Sequence, residues 1–183
     1  MWTLCSLGSN VDPETNIPKA LDRLARWFGV VHVSPMIRTA PIGVMGRGDF
    51  LNGLIRFETE LSDADLKERL NALEVDLGRD RGHPDSKRLP RPLDVDIQDR
   101  QLRQASLKPS EASPYMSKMW AADQGQPDQT QLWPIDLEGQ SLGQEPAAVY
   151  FDHRTGQVSV VAQQINRLQD RLQSPFALQQ GVS

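Results

Sequence analysis

Between Thr3 and Ile97 the spacing of apolar residues switches from strand-like to helical and back, twice, and few folds accept that order. Thr3-Leu4-Cys5-Ser6-Leu7 reads as a short strand closed by Gly8-Ser9-Asn10. Ile17, Leu21, Leu24 and Phe28 then fall at helical spacing, with Pro18 near the first turn and Gly29 as a stop signal. Val31 and Val33 alternate with polar neighbours and predict a strand running from about Val30 towards Thr39. An Ala40-Pro41-Ile42-Gly43 turn and a glycine-containing loop to Gly48 precede a strand over Leu51 to Thr59, where Ile55 and Phe57 alternate with Arg56 and Glu58. Ser62 and Asp65 resemble a capping box that opens a helix striped by Leu66, Leu70, Leu73 and Leu77 and ended by Gly78. After a basic loop, Leu93-Asp94-Val95-Asp96-Ile97 predicts one more short strand. The order βαββαβ fits an α+β sandwich of the ferredoxin-like kind, a mainly antiparallel sheet with helices on one face.

The remainder changes character. Glutamine is absent before Gln98, and sixteen follow in the last 86 residues. The stretch from Gln101 to Gln131 is polar, carries Pro109, Pro114 and Pro127, and reads as largely loop. Ala148 to Phe151 and Val158 to Val161 predict a hairpin, and Ile165, Leu168 and Leu172 a short helix. A chain of 183 residues is expected to be one domain: a patterned core over 1–97, a loop-rich segment over 98–147 and a hairpin-and-helix tail over 148–183. A net charge of -4 argues against a nucleic-acid coat protein. One cysteine, Cys5, excludes an internal disulfide framework, and His32, His83 and His153 are too scattered for a metal cluster. With no basic leader and no long apolar run, the expectation is a cytoplasmic protein with no membrane or nucleic-acid partner, a monomer or weak homodimer.

The chemistry is concentrated between Gly78 and Ile97. Side chains of a strand alternate, so Leu93, Val95 and Ile97 face one way while Asp94 and Asp96 face the other, roughly 6–7 Å apart. Two such carboxylates repel unless a cation intervenes, and magnesium suits carboxylates that share it with phosphate oxygens. Just upstream, Arg79, Arg81, Lys87, Arg88 and Arg91 place five basic residues in thirteen positions of an acidic protein, opposed by Asp80 and Asp85. Guanidinium forks match phosphate oxygens. A basic loop leading straight into paired aspartates is the layout a magnesium–nucleoside triphosphate requires. No Walker or kinase glycine loop is present, so neither large phosphoryl-transfer class applies.

Five segments carry a more specific likeness: Leu7-Gly8-Ser9-Asn10; Ser34-Pro35-Met36-Ile37-Arg38-Thr39-Ala40-Pro41-Ile42-Gly43; Asp49-Phe50-Leu51-Asn52; Glu74 with Gly78-Arg79-Asp80-Arg81; and Pro90-Arg91-Pro92-Leu93-Asp94-Val95-Asp96-Ile97. In this order they resemble the 6-hydroxymethyl-7,8-dihydropterin pyrophosphokinase family of folate biosynthesis. The resemblance implies transfer of pyrophosphate from ATP to the hydroxymethyl oxygen of the pterin, with release of AMP. It gives Asp94 and Asp96 two magnesium ions, and with Arg79 and Arg91 these make up the implied catalytic set. ATP is expected at Asn71, Glu74, Arg79, Arg81, Lys87 and Arg91. The pterin is expected at Thr39, Ala40 and Ile42 in the turn, with Phe50 stacked on the ring and Asn52 reading its edge.

The chain departs from the family pattern after Gly82. Arg88 stands where the family has tryptophan, in a loop about two residues longer, and Tyr115 follows Pro114 where a histidine is usual. Counting back from Leu132-Trp133-Pro134-Ile135, Asp128 takes the place of an arginine and Thr130 that of a phenylalanine. The metal half of the expected machinery is therefore matched more fully than the acceptor half. Two alternatives stay open: a diverged paralogue that binds nucleotide or pterin or uses another acceptor, and an interaction module on the same fold.

Overall fold

Two strand–helix–strand crossovers interlock to make the sheet. The computed structural model describes residues 1–41, 48–86, 88–110, 114–126 and 132–163. Strand β1 (Trp2–Ser9) leads through α1 (Pro13–Phe28) to β2 (Val30–Val33) and a short β3 (Ile37–Thr39). Strand β4 (Phe50–Glu58) leads through α2 (Asp63–Asp76) to β5 (Asp94–Gln101). β4 pairs antiparallel with both β1 and β2, and β1 with both β4 and β5. Each crossover thus spans two parallel strands with a third inserted between them, which is the split arrangement expected of a ferredoxin-like α+β fold. α1 and α2 cover one face, where Leu21, Leu24, Leu66, Leu70 and Leu73 pack on Cys5, Leu7, Ile55 and Phe57. Phe28 at the end of α1 stacks on Phe57 with centroids 4.2 Å apart.

Local chemistry sets the ends of these elements. Pro13, rather than Pro18, occupies the first turn of α1, and Gly29 ends the helix at a φ of 79°, a conformation a side chain resists. At α2, the Ser62 hydroxyl accepts from the Asp65 amide and donates to its carboxylate. The strand expected from Val30 towards Thr39 is broken by Ser34, Pro35 and Met36 into β2 and β3, both paired with β4. Proline supplies no N–H to a ladder.

The segment read as loop over 101–131 holds more structure than its composition suggests. A 3-10 turn (Gln104–Ser106) and a helix α3 (Pro114–Asp123) lie there. Met116, Met119 and Ala122 of α3 close over Leu4, Ile37, Leu54 and Leu107 on the face opposite α1 and α2. Arg56 on β4 holds the end of α3 through a two-pronged ion pair with Asp123, its Nη1 donating to Oδ1 at 2.6 Å, both side chains largely buried. The polar, proline-containing stretch around it masked this ten-residue helix, although Tyr115, Met116, Met119, Trp120, Ala121 and Ala122 make it largely apolar. Further along, β6 (Ile135–Leu137) and β7 (Gln140–Leu142) form a small hairpin. The expected hairpin is β8 (Ala147–Asp152) with β9 (Gln157–Ala162), which adds to the sheet beside β2 in the order β5-β1-β4-β2-β8-β9. The helix expected around Ile165 to Leu172 lies outside the described residues.

β5 contains one irregularity. Cys5 pairs with Ile97 but Leu4 pairs with Asp99, leaving Gln98 as the extra residue of a bulge. Before the bulge, Leu93 and Val95 face the helices. Beyond it, Arg100 faces the helices, where its Nη2 donates to the Leu61 carbonyl at 2.7 Å and it ion-pairs Asp63 at the start of α2.

Candidate active site

Register brings the quoted segments together. Gly8 is opposite Asn52 on one side and Asp94 on the other, and Asn52 is in turn opposite Ile37. Opposed residues share a face, so Asn52, Gly8 and Asp94 form a row across three strands on the face that α3 partly covers. Strand spacing places Asn52 and Asp94 roughly 10 Å apart, with Gly8 between them. One pleat along, Asp96 is opposite Ser6 on the same face.

Gly8 is required by what stands next to it. A Cβ there would fall 2.3 Å from Asn52 Oδ1 and 3.7 Å from Phe50 Cδ1. Asn52 Nδ2 donates to Thr39 Oγ1 at 2.7 Å. Phe50, opposite Thr39, is nearly buried, Thr39 is half-buried and Ala40 is exposed. Ile42 lies outside the described residues.

The charged side is organised around Glu74, which is fully buried. Its Oε1 accepts the Val95 amide of β5 at 2.8 Å, and its Oε2 accepts Arg81 Nε at 2.8 Å and lies 2.8 Å from Arg79 Nη1. Arg79 also pairs with one oxygen of Asp94 while Arg91 pairs with the other. Glu74 is thus shielded from solvent, its carboxylate held by the two arginines and the Val95 amide. Burial pushes its carboxyl up, against the lowering effect of the Val95 amide and the arginines. The side chain of Asn71, half-buried one turn earlier on α2, makes no hydrogen bond among the described residues, and Lys87 lies outside them. Arg88 is exposed.

Asp96 differs from Asp94 in having no ion pair among the described residues. Desolvation against the sheet, and next the charge of Asp94, push its carboxyl up, although the residue is exposed and water screens much of both effects. Two hard-oxygen carboxylates on one face, one of them raised by the other, form a donor set that fits a divalent cation shared with phosphate. Among the described residues no group of three or more potential ligands gathers, so other oxygens would have to complete the shell.

Sequence reasoning placed Asn10 in the first of the five segments but gave it no role. Its amide N–H donates to the Arg91 carbonyl at 3.0 Å, and its Oδ1 accepts the Arg91 amide at 2.6 Å. An asparagine after a strand reads only as a turn residue, and nothing local signals a partner 81 positions away.

Comparison with known proteins converges on the same segments. Residues 4–110 match the family 7,8-dihydro-6-hydroxymethylpterin-pyrophosphokinase. Over 95 residues, half of the chain, it is 38% identical to 2-amino-4-hydroxy-6-hydroxymethyldihydropteridine pyrophosphokinase of Pseudomonas aeruginosa. It is 36% identical over 94 residues to the mitochondrial folate synthesis bifunctional protein of Arabidopsis thaliana, and 35% identical over 95 residues to that of Pisum sativum. These matches span 57% of the bacterial protein and 16% and 18% of the plant ones.

Proposed function

The chain belongs to the 7,8-dihydro-6-hydroxymethylpterin-pyrophosphokinase family, and on that premise we propose that it transfers pyrophosphate from ATP to the hydroxymethyl oxygen of 6-hydroxymethyl-7,8-dihydropterin in folate biosynthesis. The observation that carries the reading is the row Asn52–Gly8–Asp94, which sets a neutral reader of a flat heterocycle one ligand length from a carboxylate ringed by arginines.

Asp94 and Asp96 would hold magnesium, two ions by family likeness, and bound there it would neutralise the polyphosphate and align it for attack. The protein's own groups divide the remaining work. Arg79 and Arg81, aimed by Glu74, and Arg91, three residues before Asp94, supply guanidinium forks for phosphate oxygens. The same arginines serve as counter-ions to Asp94 and Glu74, so the cluster stays balanced before ligand arrives. Asn52 and Thr39 offer an amide and a hydroxyl to the heterocycle edge, Phe50 a ring beside the gap at Gly8. Fixing the hydroxymethyl oxygen against the chain of phosphates supplies the larger part of the rate, as expected for a reaction that needs alignment more than covalent help. We place this activity in one cytoplasmic domain acting on small molecules.

The test is direct: ATP, magnesium and the pterin should yield AMP and the pterin diphosphate in equal amounts. A protein that neither binds a non-hydrolysable ATP analogue nor releases AMP would end this reading. Arg88, exposed where the family has tryptophan, and Tyr115, packed beside the apolar cluster under α3, favour a second one, nucleotide binding with a different acceptor. It predicts analogue binding without AMP release on addition of this pterin.

A further inference from the structure

We infer that Asn10 is a positioning residue that sets Arg91 for the nucleotide by clamping its backbone to the end of β1. The inference rests on the proposed pyrophosphokinase reading. It begins from two hydrogen bonds that share one partner: Asn10 N–H to the Arg91 carbonyl at 3.0 Å, and the Arg91 N–H to Asn10 Oδ1 at 2.6 Å. One is independent of side-chain identity; the other exists only if residue 10 carries an acceptor at amide length.

The geometry explains why that acceptor matters. Arg91 lies three residues before Asp94, the first residue of β5, and its guanidinium pairs with one of the Asp94 oxygens. Asn10 stands two residues beyond Gly8, the centre of the row that joins Asp94 to Asn52. Clamping the Arg91 backbone here fixes the guanidinium's origin relative to both carboxylates and the acceptor residues. Asn10 is itself held from several sides. The Ser9 hydroxyl and the Asn16 amide both donate to the Val11 carbonyl, at 3.0 and 2.7 Å, fixing the turn that follows. Gly48, just before Asp49-Phe50, lies so close that a Cβ on it would come within 2.7 Å of the Asn10 carbonyl. Asn10 is thus the point where the arginine loop, β1 and the approach to the acceptor strand meet. An asparagine kept merely to form a turn would need none of this.

Binding of a non-hydrolysable ATP analogue with magnesium tests the idea in four proteins: wild type, Asn10→Ala, Arg91→Ala and the double variant. Asn10→Ala should weaken binding about tenfold. Made on the Arg91→Ala background, the same change should cost less than about twofold, because Asn10 acts through Arg91. Asn10→Asp, which keeps an acceptor oxygen in place, should bind within about threefold of wild type. Hydrogen exchange at the Arg91 amide should quicken in Asn10→Ala and not in Asn10→Asp. Additive losses, an aspartate variant as weak as the alanine one, or unchanged Arg91 exchange would each overturn the inference. A wild-type protein that binds no analogue and releases no AMP would bring down the activity reading instead, with the clamp then judged by exchange alone.

Discussion

On one side of Gly8, three arginines and Asp94 interlock around a fully buried Glu74; on the other, Asn52, Thr39 and Phe50 are neutral and share one hydrogen bond, Asn52 to Thr39. The charged side is held by partners that are expensive to lose, since each removal strands an opposite charge in a poorly hydrated place. The neutral side is held by shape: an amide, a hydroxyl and a ring around a position that must lack a side chain. On the proposed reading, charge positions a polyphosphate in a way that tolerates change nearby, whereas shape recognises a heterocycle and tolerates little.

Variants can break this contrast or sharpen it. The largest effect should come from Asp96→Ala, which removes a carboxylate with no ion pair among the described residues. AMP release should fall by at least about 1000-fold while the melting temperature stays within about 2 °C of wild type. Retained turnover would separate the aspartates from the chemistry. Glu74→Ala should act on the fold instead. It leaves the Val95 amide and the Arg81 guanidinium without their acceptor and Arg79 with Asp94 as its remaining carboxylate, and urea denaturation should show a loss of about 3 kcal/mol. Gly8→Ala probes the neutral side, where the new methyl must push the Asn52 amide from its place. KM for the pterin should rise about tenfold with analogue affinity unchanged. A loss of nucleotide affinity there would show that the two sides are not separable.

The smallest effect is a pH dependence of stability. Burial raises the Glu74 carboxyl above its ordinary 4.5. Below that value folded and unfolded chains both hold the proton, and its contribution to stability is complete. As pH climbs through the window above 4.5 the unfolded chain releases its proton first, and the contribution fades until the folded carboxyl ionises too. The difference between wild type and Glu74→Gln should therefore slope over that window, by about 1.4 kcal/mol for each unit between the two pKa values. A flat difference curve would mean that the arginines fully offset burial.

The βαββαβ order and the alternation of Asp94 and Asp96 were legible because both rest on local periodicity. α3 was not, since its run from Tyr115 to Ala122 is short and set inside a polar, proline-containing stretch. The hairpin β6–β7 escaped for a similar reason, its strands being three residues each. Within the candidate site, residue types could be read but not the pairing among them. Glu74 could be read as a site residue, but not as a fully buried carboxylate holding Arg79 and Arg81. Asn10 looked like punctuation. Both facts depend on partners far along the chain, which a window of sequence does not contain.

The extra residue at Gln98 bears on how this strand can change. Asp96 and Arg100 are four positions apart, an even number, and an unbroken ladder would put them on the same side. Pairing the whole strand without the bulge would swing Arg100 from the helices to the carboxylates and deprive the start of α2 of its tether, whereas deleting Gln98 would leave Arg100 three positions from Asp96 and still opposite Thr3. Losing the bulge while keeping its residue would thus reverse the charge balance of the site without altering a single ionisable residue, and losing both together would leave that balance in place.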